Sequence, residues 1–459
     1  MQSFDGSIKP LPTGEINFSL PGIEKFTLNN NLEVYFIKKN NLPILQFNLL
    51  INAGSYLDPE AKKGLSNLFS LSVDEGAGEY SSLQLSDEFD ILGSNFNVSS
   101  SEDNVFFSLQ SLRENVNKSL ELFSTVLKAP HFNEDDFKRE QRKIITHILQ
   151  RQDEPDEIAD LVFDYIIFGK SSPYSSPIVG YDADVKNILI DDIKTFYSNF
   201  ILPSNSKLIV VGDITRVELI NKLEFSFKDW TGKGISNNIF FPKETRSSKI
   251  FLFDKKGSVQ SEIRIGHYAP NRREEDFFPK TILNNILGGQ FSSRINLNLR
   301  ENKGYTYGAN SRFTYLKKSA YFFVTTSVAA ENTGNAVREI FNELISIRAG
   351  VKNEELDFAK TSLIRKFPSN FETNKQIASS LISMVTHSLP DNYFNSYINN
   401  IKSVSIDHVN GAAEKYIHPD KAITVIVGDK EKVLDQLKNL NHSEIIEVDN
   451  RGNEIMNII

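Results

Sequence analysis

The feature that most constrains this chain of 459 residues is a repeat whose period is as long as a domain. Residues 207–213 (KLIVVGD) recur as residues 422–429 (AITVIVGD), and their final aspartates, Asp213 and Asp429, are 216 residues apart. Residues 191–203 match residues 407–419 at the same offset. Repeats of solenoid proteins are only about 20–45 residues long, so this period indicates duplication of a whole domain. The alternative is that two unrelated segments acquired similar helix–turn–strand patterns.

Two patterns of apolar residues predict the elements of each half. Short apolar or alternating runs predict strands at residues 32–38, 46–53, 105–112 and 208–211. Longer segments with a 3.6-residue period predict helices at residues 116–127, 135–150 and 158–168. We therefore predict an α+β fold with two homologous domains in tandem, each a mainly antiparallel sheet packed with helices.

The predicted domain boundaries follow a change in composition between the halves. Glycine and polar residues fill positions 231–238 (TGKGISNN), and a strand-like run follows at residues 249–253. We predict an N-terminal domain over residues 1–230, a linker over 231–245 and a C-terminal domain over 246–459.

The composition excludes several classes of function. A formal net charge of -8 argues against a general nucleic-acid partner, which clustered Lys and Arg would hold. The chain has no cysteine, which removes disulfides, thiolate metal ligands and a cysteine nucleophile. No apolar run approaches the roughly 20 residues that cross a bilayer. The first residues do not show a secretory signal, so we leave the compartment open between cytoplasm and periplasm.

A cation and a phenol stand seven residues apart in the second half, at Arg300 and Tyr307. Gly304 lies between them and is a natural helix C-cap, so we predict Arg300 on the last turn of a helix and Tyr307 on the following strand. Tyr305 alternates with Tyr307 and would share its strand face. Taken alone, Arg300 could equally be a solvated cation at a helix end and Tyr307 a surface aromatic residue.

Residues 287–294 (LGGQFSSR) together with residues 299–307 (LRENKGYTY) resemble the second-half motif of the pitrilysin or insulinase-like zinc peptidases. The similarity is to the branch that includes the mitochondrial processing peptidase, and it extends from about residue 26 to about residue 440. The resemblance implies that Arg300 and Tyr307 contact the substrate carbonyl, with Tyr305 as an auxiliary contact. A guanidinium and a phenol can stabilise the charge that develops on that oxygen.

The first half departs from the family where the zinc site should be. Active members carry His-x-x-Glu-His on the helix after Gly-Leu, and alignment at Gly64-Leu65 puts Asn67, Ser70 and Leu71 on those positions. His147 stands at the position of the downstream Glu ligand. No two of the seven histidines lie three to five residues apart, so no helical zinc pair of this kind exists. We predict no metal in this chain.

The resemblance implies one half of a clam-like peptidase chamber that admits unfolded peptides. It implies a non-zinc subunit of a heterodimeric metallopeptidase, which would be inactive alone and would work with a zinc-bearing homologous subunit on a peptide substrate. The alternative is a proteolytically inactive structural or peptide-binding homologue, possibly a homodimer. A hydrolase that needs no metal is disfavoured because no Gly-x-Ser-x-Gly nucleophile pattern is present.

Overall fold

A computed structural model describes residues 14–232, 241, 248–272, 275–440 and 444–458. Its two halves, residues 14–232 and residues from 248 onward, each contain one mixed sheet covered by helices. Most of the predicted linker, at residues 233–240 and 242–245, lies outside the described residues. No described helix is long and apolar enough to cross a membrane.

The first half contains a six-stranded sheet and eight helices. Its strands are β1 (Glu24–Thr27), β2 (Glu33–Lys38), β3 (Ile44–Ile51), β4 (Asn95–Ser100), β5 (Val105–Leu112) and β6 (Ser206–Gly212). Its helices are α1 (Leu65–Ser72), α2 (Ser82–Ile91), α3 (Val116–Lys128), α4 (Glu134–Arg151), α5 (Pro155–Phe168), α6 (Asp182–Lys186), α7 (Ile190–Phe200) and α8 (Arg216–Phe227).

The second half contains a seven-stranded sheet and eight helices among its described residues. Its strands are β7 (Ile250–Asp254), β8 (Gln260–Tyr268), β9 (Ala309–Tyr315), β10 (Ala320–Ala329), β11 (Ile423–Gly428), β12 (Ile445–Val448) and β13 (Glu454–Asn457). Its helices are α9 (Phe277–Leu287), α10 (Arg294–Asn296), α11 (Thr333–Arg348), α12 (Asn353–Lys366), α13 (Asn374–Thr386), α14 (Tyr393–Ser403), α15 (Ile406–Tyr416) and α16 (Lys430–Lys438). A π-helical turn, Leu297–Asn302, continues α10.

Five adjacent strands of one sheet correspond to five adjacent strands of the other, which agrees with a duplicated domain. The edges differ, since β1 is antiparallel to β2 whereas β12 is parallel to β7. The first sheet has the order β1-β2-β6-β3-β5-β4, and the second has the order β13-β12-β7-β11-β8-β10-β9. The central pairs correspond in direction as well, since β2·β6 and β7·β11 are parallel whereas β6·β3 and β11·β8 are antiparallel. The repeated runs at residues 207–213 and 422–429 are thus the equivalent strands β6 and β11. The predicted two-domain α+β fold is confirmed.

Each half places helices on the other half's sheet. The first sheet packs one face on its own helices, and its second face, including Ile209 and Val211, packs against Ile377 and Leu381 of α13. In turn α5 of the first half covers the second sheet, where the rings of Phe163 and Phe323 lie 5.6 Å apart. This reciprocal exchange explains why the repeated strands are apolar without alternation, since both of their faces are buried.

Candidate functional site

The helix at the predicted zinc-motif position, α1, is present, but its side chains hydrogen-bond within the helix or pack on the core. The buried carboxylate of Asp58 accepts the backbone N–H groups of Gly64 and Ser66, each at 2.9 Å, and so starts α1. The hydroxyl of Ser70 donates to the carbonyl of Asn67 at 2.7 Å, and Leu71 packs against the core. This helix is therefore a packing element of the first half.

The four aligned positions do not fit a zinc ion. Leu71 has no donor atom, the Ser70 hydroxyl is engaged by its own helix, and the Nδ2 atom of Asn67 is buried without a hydrogen-bond partner among the described residues. His147 is exposed on α4. Zinc sites in proteins are built from His, Cys and carboxylate side chains held together in a tetrahedron, which these residues cannot supply. Across the described part of the chain, no three His, Cys, Asp or Glu residues are grouped to hold a metal.

A network of ion pairs occupies the neighbourhood of Glu140, seven residues before His147. Glu140 is buried, and its Oε1 lies 2.6 Å from Nζ of Lys143 and 3.2 Å from Nε of Arg139. Arg139 also pairs with Glu75. Burial, with smaller contributions from the charges of Glu75 and Glu140, raises the pKa of the nearby Asp74 to about 7. Glu75 and Glu140 are therefore ion-paired within the chain.

The candidate site in the second half is built on the loop, helix and loop between α9 and β9. Gly288 lets the first loop approach β9, because a Cβ atom there would lie 2.4 Å from Oγ of Ser311. After the π-helical turn, Gly304 takes φ +67 and the N–H of Tyr305 bonds to the carbonyl of Leu299 at 2.8 Å. These two glycines set the path of the chain on either side of Arg300.

Arg300 lies on the final, π-helical turn, as the C-cap glycine predicts. Its guanidinium carbon stands 4.5 Å from the ring centroid of Phe291, and its Nε is 3.5 Å from Oε1 of the adjacent Glu301. Phe291 is 62% exposed. Arg300 is thus presented at the surface on an aromatic ring, with a neighbouring carboxylate as its ion-pair partner.

Two placements predicted from the sequence are wrong. Tyr307 does not lie on a strand, because β9 begins two residues later at Ala309, and its side chain is 93% exposed on the connecting loop. Tyr305 does not share its face, since it is partly buried against the core of the second half. The hydroxyl of Thr306 bonds to both the N–H and the carbonyl of Gly308, which shapes a tight loop and delays the start of the strand.

The sequence analysis did not identify Asn296, whose side chain hydrogen-bonds to the two loops on either side of Arg300. Asn296 is buried, its Nδ2 donates to the carbonyl of Phe291 at 2.7 Å, and its Oδ1 accepts the N–H of Ala309 at 3.0 Å. One side chain therefore fixes the distance between the loop that carries Phe291 and the loop that carries Tyr307. An asparagine on a buried helical face is the signal that could have identified it.

A second set of polar contacts holds the π-helical turn against α11. Nδ2 of Asn298 donates to Glu339 at 3.0 Å and to Glu343 at 2.8 Å, and Nζ of Lys303 lies 3.6 Å from Glu339. Arg294, which the sequence analysis did not assign to the site, forms a two-pronged ion pair with Glu355 at 2.6 and 2.7 Å. The backbone around Arg300 is therefore rigidly supported.

Comparison with known proteins agrees with this architecture. Residues 34–168 match the family model described as Insulinase (Peptidase family M16), and residues 187–363 match the model described as Peptidase M16 inactive domain. The crystal structure of a peptidase M16 inactive domain from Pseudomonas fluorescens superimposes with a TM-score of 0.83 at 23% identity, covering 88% of this chain and 97% of that one.

Two relatives come from one bacterium, Helicobacter pylori. The protein named non-peptidase homolog YmxG is 23% identical over 416 residues, which span 88% of this chain and 94% of that protein. The protein named zinc protease PqqE is 24% identical over 371 residues, or 78% of this chain and 82% of that protein.

The chain is therefore built from the N-terminal and C-terminal domains of the M16 peptidase family. Within that family it is a catalytically inactive member, since Asn67, Ser70 and Leu71 replace the residues that would bind and use zinc.

Proposed function

We propose that this protein is the non-zinc subunit of a heterodimeric metallopeptidase, in the branch that resembles the mitochondrial processing peptidase. A zinc-bearing homologue would supply the metal-bound water, and this chain would contact the substrate carbonyl through Arg300 and Tyr307. The observation that carries the proposal is their presentation at the surface beside β9, on a chain whose own zinc positions have no ligands. We keep residues 1–230 and 246–459 as the proposed domains.

The position of the site next to a sheet edge supports a peptide substrate. β9 is the outermost strand of its sheet and pairs only with β10 among the described strands. An extended peptide can add to such an edge through its backbone hydrogen bonds. A peptide so paired would run past the loop of Tyr307, which leads directly into β9.

The pair of Helicobacter pylori relatives supports a zinc-bearing partner. One organism has both a relative named as a non-peptidase and a relative named as a zinc protease, and both align with most of this chain. In our proposal the two kinds of subunit enclose one peptide chamber.

The test is to co-express this chain with a zinc-bearing homologue from the same genome and to measure cleavage of a quenched fluorescent peptide. We expect activity only in the mixture, and a loss of roughly tenfold or more with Arg300→Ala or Tyr307→Phe, because each removes one donor to the developing oxyanion. Arg338→Ala and Tyr80→Phe are the matched controls. Among the described residues Arg338 bonds to the nearby Asn335, and the hydroxyl of Tyr80 accepts from Nζ of Lys118 in the first half.

Activity of the zinc subunit alone, unchanged by this chain or its variants, would contradict the proposal. A stable self-dimer that binds the peptide without cleaving it would instead support a peptide-binding homologue.

A further inference from the structure

A polar cavity of about 240 Å³ lies where the two halves meet, and it shares no lining residue with the Arg300 site. Its walls come from loops at one end of the first sheet, from the turn between β9 and β10, and from the end of α13. Of its thirteen lining residues only Leu50 and Val385 are apolar. A contact between domains that served packing alone would be richer in apolar side chains.

Two lysines, one from each half, face this cavity. Nζ of Lys317 donates to Oδ1 of Asn52 at 2.5 Å, and no carboxylate in the described part of the chain forms an ion pair with it. Nζ of Lys207 has Glu33 as its ion-pair partner, at 3.5 Å. Glu33 is the one acidic residue in the described lining, so with Lys207 and Lys317 this lining carries one excess positive charge.

One carboxylate and two other lysines act on the charge of Lys317. Burial lowers the pKa of Lys317 most, the charge of Asp103 is the next largest effect and raises it, and the positive charges of Lys318 and Lys207 lower it. Asp103 is already engaged, since it accepts the hydroxyl of Tyr174 at 2.5 Å and the backbone N–H of Lys317 at 2.8 Å. An anion in the cavity would add a second negative charge near Lys317 and would favour its charged form.

The side-chain amide of Asn104 is available to hydrogen-bond a molecule in the cavity. Asn104 is 5% exposed as a residue and lines the cavity. Its backbone N–H donates to Oγ of Ser101 at 3.1 Å, but its side-chain amide makes no hydrogen bond to another described residue. Buried amides of folded proteins are nearly always bonded to protein or to an occupant of their site. The backbone adds a further sign of constraint, because Asn31 and Ser388, both in the lining, have positive φ values of 69° and 50°.

We propose that this cavity binds a small oxyanion, a carboxylate or phosphate group, held by Lys207, Lys317 and the side-chain amide of Asn104. Ammonium and amide N–H groups are the donors that such an anion takes. Because Lys207 belongs to the first half and Lys317 to the second, the bound anion would join the halves and stabilise the folded chain. This inference does not depend on the peptidase role.

The full chain is titrated at pH 7 and constant ionic strength with three probes: inorganic phosphate, N-acetylglycine and the uncharged N-acetylglycinamide. Calorimetry measures binding, and thermal unfolding measures the gain in melting temperature. We expect saturable binding of at least one anion and none of the amide. Phosphate binding alone identifies a phosphate site, and N-acetylglycine binding alone identifies a carboxylate site such as a peptide C-terminus would fill.

Three substitutions test whether an anion binds in the cavity or is attracted by the general positive charge of the surface. Lys317→Gln and Asn104→Ala should each weaken anion binding roughly tenfold, because each removes one of the three donors proposed to hold the anion. Lys318→Gln is the matched control, since it removes the adjacent lysine, which does not line the cavity. Ser388→Asp is a further variant in case these fold poorly. Ser388 has a φ of 50°, which Asp tolerates, so the chain should still fold. The new carboxylate in the cavity should repel an anion and abolish binding.

The proposal is overturned if neither anion binds saturably in the millimolar range. It is equally overturned if Lys318→Gln weakens binding as much as Lys317→Gln does.

Discussion

At the residue scale, Arg294 and Arg300 of the second-half motif differ in their partners: Arg294 is bound within the fold, whereas Arg300 lies at the surface. Both arginines lie on one continuous helical segment, six residues apart. Arg294 gives its guanidinium to Glu355 and to the carbonyl of Gly350, so it has little capacity left for a ligand. Arg300 lies above the Phe291 ring, and among the described residues its one ion-pair partner is Glu301, so most of its five donors are unused there. The side chain with unused donors is the one suited to a substrate.

Phe291 should matter to activity without mattering to stability. Phe291→Ala removes the ring that orients Arg300, a contact worth about 0.5–1 kcal/mol at an exposed site, so we expect cleavage by the two-subunit enzyme to fall about two- to fivefold. The melting temperature should not change, because the ring is 62% exposed.

Phe225→Ala is the control for the Phe291 prediction. Phe225 is 76% exposed and has Nζ of Lys228 at 5.9 Å from its ring, so the substitution removes a similar contact far from the motif in sequence. Equal loss of activity in both variants would rule out a specific role for Phe291.

Asp74 should make the stability of the chain depend on pH. Its pKa of about 7 in the folded state is above the roughly 3.9 of an unfolded aspartate, so its contribution is fully present below pH 4 and is lost as the pH rises to 7. Asp74→Asn removes this loss. We expect the variant to gain up to about 4 kcal/mol over the natural chain between pH 4 and pH 8 in urea unfolding, since the two pKa values differ by about three units, each worth about 1.36 kcal/mol.

Asp87→Asn, at an exposed position on α2, controls for removal of a surface carboxylate. A pH-independent difference between Asp74→Asn and the natural chain would refute the assignment.

At the element scale, the π-helical turn Leu297–Asn302 is the part of the site that the sequence could not predict. Its register depends on partners from a distant helix, since Asn298 reaches Glu339 and Glu343 on α11. A π turn places Arg300 differently from an α-helix of the same length, and such turns are frequent at functional sites.

Asn298→Asp should destabilise this turn in a pH-dependent way. The new carboxylate would lie between Glu339 and Glu343, where it would be repelled by both and would lose the two hydrogen bonds that Asn298 donates. The loss, about 1–3 kcal/mol, should be full at pH 7 and should disappear as the pH falls below about 4, where the carboxyl groups are neutral in both states. Unfolding in urea at pH 4 and pH 7 measures it.

Asn302→Asp adds the same charge at an exposed position of the same turn, so its effect on stability should be small. A loss at pH 4 as large as that at pH 7 would show that the Asn298 contacts act through packing rather than charge.

The strands and helices that were predicted correctly are determined by residues within the same segment of the sequence. The predicted strand at residues 105–112 coincides with β5, and the predicted helix at residues 116–127 differs from α3 by one residue. Apolar periodicity determines both. The loop position of Tyr307 was missed because it depends on the Thr306 hydroxyl and on Asn296, which accepts the first N–H of β9 from thirteen residues away.

At the scale of the whole molecule, the exchange of helices joins the two halves into one cooperative unit. Phe163 of α5 approaches Gly266 of β8 so closely that a Cβ atom there would lie 2.7 Å from its ring. On the other sheet, Phe367 and Tyr397 stack with their rings 4.1 Å apart in the cluster that covers Ile209. Neither sheet is fully covered by its own half.

We therefore expect a single unfolding transition by calorimetry, with no separate melting of the halves. Phe163→Ala should lower the stability of the whole chain by about 3–5 kcal/mol, because the ring is 2% exposed and its removal opens a cavity against the second sheet. The melting temperature should fall without broadening of the transition. Phe225→Ala, on the exposed side of α8, should leave it unchanged.

Two resolved transitions, or a variant that shifts only one of them, would contradict this coupling of the halves.

Because α5 of the first half packs on the sheet of the second half, it is synthesised on the ribosome well before its packing partner. Helix α5 ends at Phe168, whereas β11, one of the strands it covers, begins at Ile423, about 255 residues later. At roughly 5–20 residues per second, this apolar helix emerges about 13 to 50 seconds before its sheet is complete. During that interval the nascent first half would display unpaired apolar surface, so chaperones that hold exposed hydrophobic segments are expected to engage it before the second half is synthesised.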